Sequence, residues 1–354
     1  MKAIVQERFG PPDVLRPADV DRPRPGTGEV VVRVHAAAVN PYEWHLLRGD
    51  PYVARLMMGG MGLTRPKNPV AGLDAAGCVE EVGPGVGGVR PGDEVFGFCP
   101  GAFAEFARAK AELVVPRPEG LSFAEAAALP IAGTTALRAV RDVGAVTSGQ
   151  RVLVNGAAGG VGTYAVQIAA ALGAEVTGVC GTRNLDLVRS IGAAHAVDHT
   201  ETDFTADECV RAAGRYDVIL DNVGNHPLGR LRRALTPAGT LLLNAGGSPG
   251  AVFGAVGRMA RGAMLDRFVR QRIRVVPTAW RRQDLLDLAD LAASGRLTTV
   301  LDRGFPLAEA ADAVRYIERG HARGKVVLSV TPAGGEGHGA RGTRGARGEG
   351  CRPR

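Results

Sequence analysis

The fold is decided by the stretch Val152-Leu-Val-Asn-Gly-Ala-Ala-Gly-Gly-Val-Gly162. Its apolar start predicts a buried strand, and its glycines open a helix expected over 161–172. Glycines let the backbone turn sharply and approach a pyrophosphate, to which a helix N-terminus offers free N–H groups and a positive dipole end. A strand, a glycine loop and a helix in this order predict a dinucleotide site, although a tight turn used only for packing is the alternative. The expected cofactor contacts in this loop are Ala158, Gly159, Gly160 and Val161.

Strands and helices alternate on both sides of this loop. Continuous apolar runs such as 218–220 and 241–243 predict strands that are buried on both faces. The alternation is typical of a parallel sheet with helices on both faces, so residues 123–278 are predicted to form a doubly wound Rossmann domain of the α/β class. Strands are expected at 151–155, 175–180, 196–198, 217–221 and 239–244, and helices at 124–129, 134–142, 161–172, 185–191 and 228–235.

Residues 1–122 have a different pattern. Short β-like runs separated by turns rich in Gly and Pro predict a compact β domain. These runs lie at 3–6, 30–34, 77–82, 94–98 and 112–115. In residues 279–332, helices are expected over 283–293 and 307–318, and strands near 300–303 and over 325–330. The Gly/Arg-rich segment 333–354 lacks apolar periodicity and is predicted to be a disordered tail.

The end of the second Rossmann strand predicts the choice of cofactor. NAD-binding sheets carry an acidic residue there, which accepts hydrogen bonds from the ribose hydroxyls. This chain has Cys180-Gly-Thr-Arg-Asn184 instead. Arg183 and the Thr182 hydroxyl suit a 2′-phosphate, and this run contains no carboxylate to repel it, so NADPH is predicted over NADH. The alternative is that Arg183 is a solvated charge at the start of a helix.

Composition argues against several classes of protein. The 354 residues carry a formal net charge of +7, but much of the excess lies in tail arginines, and aromatic residues make up only 5% of the chain. We therefore expect no nucleic-acid partner. No apolar run approaches the ~20 residues that cross a bilayer, so no membrane partner is expected. Five scattered cysteines without paired spacing argue against a disulfide framework and favour the cytoplasm.

Several stretches resemble the zinc-less branch of the medium-chain dehydrogenase/reductase superfamily, close to quinone oxidoreductase-like and NADP-dependent alcohol dehydrogenase-like members. The resemblance spans residues 1 to about 331 and is specific in order and spacing. It implies a GroES-like catalytic domain over residues 1–122, to which 279–332 return, and an active cleft between this domain and the Rossmann domain. It also implies a homodimer or a tetramer built from dimers. The matching stretches are Ala38–Gly49, Gly72–Gly83 with Arg90–Val95, the glycine loop, Asp217–Gly224 and His321–Val327.

The resemblance also implies roles for individual residues. It places the nicotinamide near Asn40 and Thr135. Gly181 stands where many relatives have a phosphate-binding Ser, and His199 where many have Tyr. The implied contacts of the adenosine phosphate are Thr182, Arg183 and His199, and further cofactor contacts are expected at Asn222, Val223, Ala245, Gly246 and Lys325.

A comparison with metal-binding relatives predicts no catalytic zinc. Their ligands are a Cys, a His–Glu pair and a third Cys or His, whereas the matching positions hold Asn40, Leu73 with Asp74, and Ile131. Zinc needs about three protein ligands and a water, and here at most one carboxylate survives. Cys99 stands alone in the region of the four-cysteine structural zinc lobe. Asp74 is expected to be a structural carboxylate, hydrogen-bonded near the cleft.

Without a metal, a side chain must stabilise or protonate the negative charge that hydride transfer leaves on a carbonyl oxygen or an enone carbon. His45 is the first candidate, because it matches a Tyr in several quinone oxidoreductases and a proton-relay His in zinc alcohol dehydrogenases, and imidazole titrates near neutral pH. Tyr42 is the second, since its hydroxyl can donate to a substrate oxygen. The alternatives are that His45 only shapes the pocket and that Tyr42 is a packed aromatic.

The sequence therefore predicts NADPH-dependent reduction of an activated carbonyl, enone or quinone. Alcohol oxidation is the nearest rival among enzymes, although loss of zinc removes the usual alkoxide stabiliser. A non-catalytic NADPH-binding protein, resembling the lens crystallins of this branch, is the rival from another class. A third interpretation makes the Gly/Arg-rich tail a contact for RNA or a partner. The sequence does not predict the substrate, because the substrate pockets of such enzymes are lined by loops.

Overall fold

Two large sheets organise the chain. A computed structural model describes residues 1–50, 62, 65–244 and 254–330. The predicted cofactor contacts Ala245 and Gly246 lie outside the described residues, as does the predicted tail at 333–354. Within the described residues, the strands form a seven-stranded sheet, a six-stranded sheet and a separate two-stranded sheet.

The first sheet is built around one long strand, Glu29–Val39. Its apolar side chains are buried along nearly its whole length, and neighbouring strands pair with its backbone on both edges. The predicted strand 112–115 differs from the structure, since Ala111–Leu113 form a 3₁₀ turn and only Val114–Pro116 are extended. The strands of residues 1–122 are β1 (Lys2–Val5), β2 (Arg16–Asp19), β3 (Glu29–Val39), β4 (Asp74–Val82), β5 (Glu94–Phe98), β6 (Phe106–Lys110) and β7 (Val114–Pro116).

A helix that the sequence pattern did not predict follows β3 directly. α1 (Pro41–Arg48) begins with proline at its first position, where the missing N–H is not needed, and ends at Gly49, whose φ of 62° lies in the left-handed region. It was missed because eight residues are too few to show a clear apolar period. This helix places Tyr42, Glu43 and His45 immediately after the first sheet.

The second sheet is the predicted Rossmann sheet. Its strand order is β10-β9-β8-β11-β12-β13, and every pairing is parallel. The order reverses between β8 and β11, and ligands of doubly wound sheets bind at such a switch point, beyond the carboxyl ends of the strands. The predicted fold class is confirmed. The strands are β8 (Arg151–Asn155), β9 (Glu175–Cys180), β10 (His195–Asp198), β11 (Tyr216–Asp221), β12 (Leu235–Leu243) and β13 (Arg272–Val275).

The remaining helices flank the two sheets. The predicted capping box opens α2, where the Ser122 hydroxyl accepts from the Glu125 N–H at 3.2 Å and the Glu125 carboxylate accepts from the Ser122 N–H at 2.8 Å. The predicted helix 134–142 is instead α3 followed by a π-helical segment, Arg138–Val143. These helices are α2 (Phe123–Ala127), α3 (Pro130–Leu137), α4 (Gly160–Ala171), α5 (Leu185–Ser190), α6 (Asp207–Ala213), α7 (Leu228–Ala234), α8 (Gly254–Leu265), α9 (Arg282–Ala293) and α10 (Ala310–Glu318).

The last strands of the described chain join the first sheet. β14 (Leu301–Pro306) runs parallel to β15 (Lys325–Ser329), and β15 pairs antiparallel with β3, with Val326 opposite Val39. One apolar cluster contains Phe96 of the first sheet and Val154 of the Rossmann sheet, so the two sheets share a packed core. Within the described residues, no helix combines the length and the apolar character that crossing a membrane requires.

Candidate active site at the glycine loop

The loop between β8 and α4 has the geometry of an anion site. Gly156 has a φ of 80°, a conformation that side chains disfavour, and turns the chain out of the strand. A Cβ on Gly162 would overlap the carbonyl oxygen of Gly156, so only glycine allows the first helical turn to lie against the loop. Gly159 caps α4 with no side-chain hydrogen bond, which leaves the first N–H groups of a 12-residue helix available to a ligand.

The glycine loop is held directly against the first sheet. The Gly324 N–H donates to the Ala158 carbonyl at 2.8 Å, and Gly159 and Gly324 form a parallel bridge. The next residue, Lys325, packs on the loop, since a Cβ on Gly160 would lie 3.0 Å from its Cδ. The start of β15 therefore touches the predicted diphosphate site.

Lys325 also reaches a buried polar cluster, which we call the Asn40 cluster (Asn40, Glu43, Asp74 and Lys325). The Lys325 ammonium donates to Oδ1 of Asn40. Nδ2 of Asn40 donates to Asp74 at 3.0 Å and to Glu43 at 3.3 Å, and the Asn40 backbone N–H donates to Glu43 at 2.8 Å. These partners fix the orientation of the Asn40 amide, because its oxygen faces the ammonium and its nitrogen faces the carboxyls.

Burial dominates the ionisation of this cluster. Burial, reinforced by the Asp74 carboxylate, raises the pKa of Glu43 to about 8. Burial also raises the pKa of Asp74 to about 6, against the opposing effect of the Lys325 ammonium and the Ile131 N–H. The pKa of Lys325 is lowered by burial. At neutral pH, Glu43 therefore holds a proton and Asp74 is ionised, and the Asn40 side chain connects both carboxyl groups to Lys325.

Thr135 lies in a narrow cleft beside this cluster. The cleft has a volume of about 210 Å³, including its open mouth, and Thr134, Arg138 and Pro277 are among its other lining residues. Trp280 forms part of its wall and stacks on Phe98, with ring centroids 5.5 Å apart. Ile131 connects cleft and cluster, since it lines the cleft and its N–H donates to Asp74 at 3.1 Å.

The end of β9 gathers the residues expected at the adenosine phosphate. The imidazole of His199 lies beside Gly181, and the Arg183 guanidinium donates to the His321 carbonyl at 2.5 Å. The structure adds a carboxylate that the run 180–184 did not reveal. Asp198, at the end of β10, accepts hydrogen bonds from Thr200, and hydrogen bonds from Thr182 and Thr200 hold its pKa below the ordinary value. The Thr182 hydroxyl lies 3.4 Å from the Thr200 hydroxyl, which itself donates to Asp198.

The predicted contacts Asn222 and Val223 lie at the end of β11. Asn222 accepts a hydrogen bond from the Asn244 side chain at 2.8 Å. A methyl group of Val223 lies against Gly156, because a Cβ at that glycine would lie 2.9 Å from it. These two residues therefore lie beside the glycine loop, at the switch point of the sheet.

The two candidate proton donors differ in their contacts. Nδ1 of His45 lies 3.1 Å from the Asp50 carbonyl, which only accepts, so Nδ1 carries a hydrogen and Nε2 of the neutral ring is an acceptor. Burial lowers the pKa of His45, which disfavours the imidazolium. Burial raises the pKa of Tyr42, which keeps its phenol proton, and its ring packs against the core cluster that contains residues of both sheets.

Comparison with known proteins identifies the relatives of this chain. A family model described as an alcohol dehydrogenase GroES-like domain matches residues 26–119, and one described as a zinc-binding dehydrogenase matches 191–328. The chain is 31% identical to a mouse mitochondrial NAD(P)H oxidoreductase, over 93% of this chain and 89% of that protein. The quinone oxidoreductase of Coxiella burnetii superposes with a TM-score of 0.80 at 30% identity, covering 94% of this chain and 99% of that one.

This chain belongs to the quinone oxidoreductase-like branch of the medium-chain dehydrogenase/reductase superfamily. A further member of this branch, the Escherichia coli quinone oxidoreductase solved in complex with NADPH, superposes with a TM-score of 0.77 at 25% identity over 93% of this chain and all of that one. The chain is accordingly an NAD(P)-dependent oxidoreductase.

The positions that bind zinc in other branches of the superfamily have other contacts in this oxidoreductase. Asp74 is hydrogen-bonded to Asn40 and to the Ile131 N–H, as expected of a structural carboxylate, and its second oxygen is buried without a partner. In the part of the chain that the structure describes, no three His, Cys, Asp or Glu side chains are grouped as a metal ion would require. Burial raises the pKa of the Cys99 thiol to about 12, so it is not a ready thiolate ligand.

Sequence reasoning missed two carboxyl groups of this site, Glu43 and Asp198. The signal for Glu43 was present, because Asn40-Pro-Tyr-Glu43 has the spacing with which a carboxylate accepts the backbone N–H that precedes a helix. Asp198 gave no such signal, since it reaches Thr182 only through the pairing of β10 with β9.

Proposed function

We propose that this oxidoreductase uses NADPH to reduce an activated carbonyl, enone or quinone by hydride transfer, without zinc. The observation that carries the proposal is the continuous contact from the glycine loop through Lys325 to Asn40. A dinucleotide whose diphosphate lies on the N-terminus of α4 would extend along this contact toward the cleft at Thr135. Bound NADPH supplies the hydride, and the residues around the cleft hold the substrate and a proton.

The preference for NADPH over NADH rests on Arg183 and His199. Both lie at the end of β9, where a 2′-phosphate would be placed, and a guanidinium suits phosphate well. The negative charge of Asp198 opposes this preference. Hydrogen bonds from the Thr200 hydroxyl and the Thr200 N–H already partly offset that charge. The Arg183 guanidinium and an N–H donor of the His199 ring therefore favour the phosphorylated cofactor.

Proton delivery is proposed for Tyr42 or His45. The Asp50 carbonyl and the lowered pKa of His45 leave its neutral ring without a free donor, whereas Tyr42 keeps its phenol proton. These contacts favour Tyr42 as the donor to the developing oxyanion or carbanion. Asn40 and Thr135 are proposed to position the nicotinamide.

The proposal also includes the domain limits, the oligomeric state and the cellular compartment. The domain limits 1–122, 123–278 and 279–332 are part of the proposal, which is supported by the joining of β14 and β15 to the first sheet. A homodimer is supported by β13, which lies at the edge of the Rossmann sheet, and by Phe268 nearby, whose exposed fraction is 80%. The cytoplasm is proposed from the buried free thiols of Cys99 and Cys180, which suit a reducing compartment, whereas the disulfide bond of Cys78 departs from the expectation that disulfides are absent.

A substrate panel tests the function. NADPH oxidation is followed at its absorbance band with enones, quinones, aldehydes and, in the reverse direction with NADP⁺, primary alcohols, after elemental analysis for zinc. We expect turnover of at least one enone, quinone or aldehyde by protein without stoichiometric zinc. Tight NADPH binding without any turnover would instead support a non-catalytic binding protein, turnover of alcohols alone would support an alcohol dehydrogenase, and one zinc per chain would contradict the metal-free mechanism.

A further inference from the structure

The Asn40 cluster confines three ionisable groups to a site without solvent. Asp74 and Lys325 are 0% and 3% exposed, and Glu43 is 5% exposed. All three are hydrogen-bonded to the same Asn40 side chain. A buried charge is costly unless it is paired, so the net charge of such a group is held near zero.

Counting charges shows that the cluster must hold a proton. Two carboxylates and one ammonium sum to one net negative charge, and no other cationic side chain is hydrogen-bonded to them among the described residues. One bound proton makes the cluster neutral. Glu43 is the group that takes it, in agreement with the upward shift of its pKa to about 8.

The cluster lies close enough to the proposed nicotinamide position to interact electrostatically with the ring. Lys325 packs on Gly160 of the glycine loop, and Asn40 is the residue proposed to position the nicotinamide ring. The ring is neutral in the reduced cofactor and positively charged in the oxidised cofactor. A negatively charged cluster stabilises the cationic ring, whereas a neutral cluster is indifferent to it.

We propose that the Asn40 cluster is a redox-linked proton site: it holds a proton when the reduced dinucleotide is bound and releases it when the oxidised dinucleotide is bound. This inference rests on the proposed function for the placement of the ring. The reduction as a whole transfers a hydride from NADPH to the substrate, which takes up one proton from the donor proposed above; the separate proton that Glu43 loses goes to solvent and is taken up again when NADPH replaces NADP⁺. Glu43 acts here as a positioning residue through electrostatics, since Asn40 lies between it and the proposed ring position.

Other titratable groups near the cluster do not change charge in the same pH range. Burial raises the pKa values of Tyr42 on α1, of Cys99 after β5 and of Tyr164 on α4, so these three stay protonated near neutrality. His45, also on α1, has a lowered pKa and is already neutral. Within the cluster, burial also lowers the pKa of Lys325, so a titration between about pH 7 and pH 9 is assigned to Glu43 when Glu43→Gln abolishes it.

The test compares the affinities for NADP⁺ and NADPH as a function of pH, without any substrate. NADPH fluorescence gives its Kd, and displacement gives the Kd of NADP⁺; the 2′-phosphate titrates in both ligands and cancels in the ratio. We expect the ratio of the Kd of NADP⁺ to that of NADPH to fall by at least about fivefold from pH ~6.5 to pH ~9.5, because deprotonated Glu43 favours the oxidised form.

Three variants decide whether Glu43 is responsible. Glu43→Gln should give a ratio that no longer changes with pH. Glu125→Gln, which removes the equivalent carboxylate from the capping box of α2, should keep the wild-type change. Lys325→Met removes the ammonium and should move the change to higher pH, since the carboxyls then hold protons more tightly.

The outcomes separate this inference from the proposed function. A ratio that is constant with pH in the wild type, or an unchanged slope in Glu43→Gln, overturns the redox-linked proton site while nucleotide binding stands. If Glu43→Gln does not fold, two other results decide: whether the ratio of the Kd values changes with pH in the wild type, and whether that change moves to higher pH in Lys325→Met. No affinity for either nucleotide overturns the proposed function and this inference together.

Discussion

Arg183 is the residue on which the cofactor preference depends most. Arg183 follows β9 of the Rossmann sheet, and its guanidinium donates to the carbonyl of His321, which precedes β15 of the first sheet. This hydrogen bond therefore joins segments that belong to the two sheets. Thr182 was expected to share the phosphate, but its hydroxyl lies within hydrogen-bond distance of the Thr200 hydroxyl, and the Asp198 carboxylate beyond it would repel a phosphate. We therefore expect Arg183 and His199 to determine the preference for NADPH over NADH.

The first prediction concerns Arg183→Ala. A hydrogen bond to a charged group contributes about 1.5–3 kcal/mol, so we expect kcat/KM for NADPH to fall by about tenfold or more. The value for NADH, which lacks the 2′-phosphate, should change by less than about threefold. Steady-state kinetics with both cofactors measures this. Arg189→Ala, a neighbouring exposed arginine paired with Asp186, is the control; an equal loss for both cofactors would contradict the phosphate contact.

The second prediction concerns the proton donor and its pH dependence. The pKa of Tyr42 is raised, so its phenol stays protonated as the pH rises, and kcat should not lose a donor between about pH 6 and pH 8.5. An imidazolium donor at His45 would instead lose activity above its lowered pKa, below the ordinary value of 6.5. Tyr42→Phe should lower kcat by about 100-fold and His45→Gln by less than about threefold.

Single-turnover reduction across this pH range is the measurement. The assignment to Tyr42 fails if His45→Gln has the larger effect, or if the wild type loses its activity in a step below pH ~6.5 that His45→Gln removes.

At the scale of elements, the glycine loop and α4 act as one unit. We expect Gly162→Ala to weaken NADPH binding by at least about tenfold, because the new methyl group would overlap the Gly156 carbonyl and displace the helix N-terminus from the diphosphate. Isothermal titration calorimetry with NADPH measures the loss. Gly229→Ala on α7 has open space around the new methyl and should leave binding intact. Unchanged affinity in Gly162→Ala would remove the loop from the binding site.

The π-helical segment after α3 is joined to α9 by a buried ion pair. Arg138 and Asp284 lie 2.6 Å apart, with side chains only 4% and 3% exposed. Removing one partner leaves a buried charge, so Asp284→Ala should lower the free energy of unfolding by about 3–5 kcal/mol. Asp287→Ala, which breaks a half-exposed pair with Arg141, should cost about 1 kcal/mol or less. Urea midpoints at unchanged slope give both values, and equal losses would contradict the role of burial.

At the scale of the whole molecule, the Rossmann sheet ends in an edge strand among the described residues. β13 is its last strand, and Met264 and Phe268 beside it are 64% and 80% exposed. If two copies pair here, Phe268→Asp places two charges in the interface and should convert the dimer to a monomer at micromolar concentration. Light scattering coupled to size exclusion measures the mass. Leu172→Asp, at an exposed apolar residue elsewhere, should leave the dimer unchanged; a monomeric wild type would refute the homodimer.

Local patterns were enough to predict most of the Rossmann half. β8, β9 and the start of α4 lie where the apolar runs and glycines indicated, because buried parallel strands are continuous apolar stretches. α1 and α6 were missed because seven or eight residues show little apolar period; α8 was missed although its 12 residues are amphipathic. The residues proposed from the sequence at the glycine loop and at β9 remain predictions until a cofactor complex is measured.

By itself, the sequence determined the α/β fold class, the glycine loop and the identity of the side chains that follow each strand. These are local properties, fixed by hydrophobic period and by backbone conformations that only glycine adopts. Only the tertiary structure decided that Asn40, Glu43, Asp74 and Lys325 share one buried site, and that Asp198 lies beside Thr182. Those contacts join residues up to 285 positions apart. They depend on strand pairing and burial, whose effect on charge appears only once solvent is excluded.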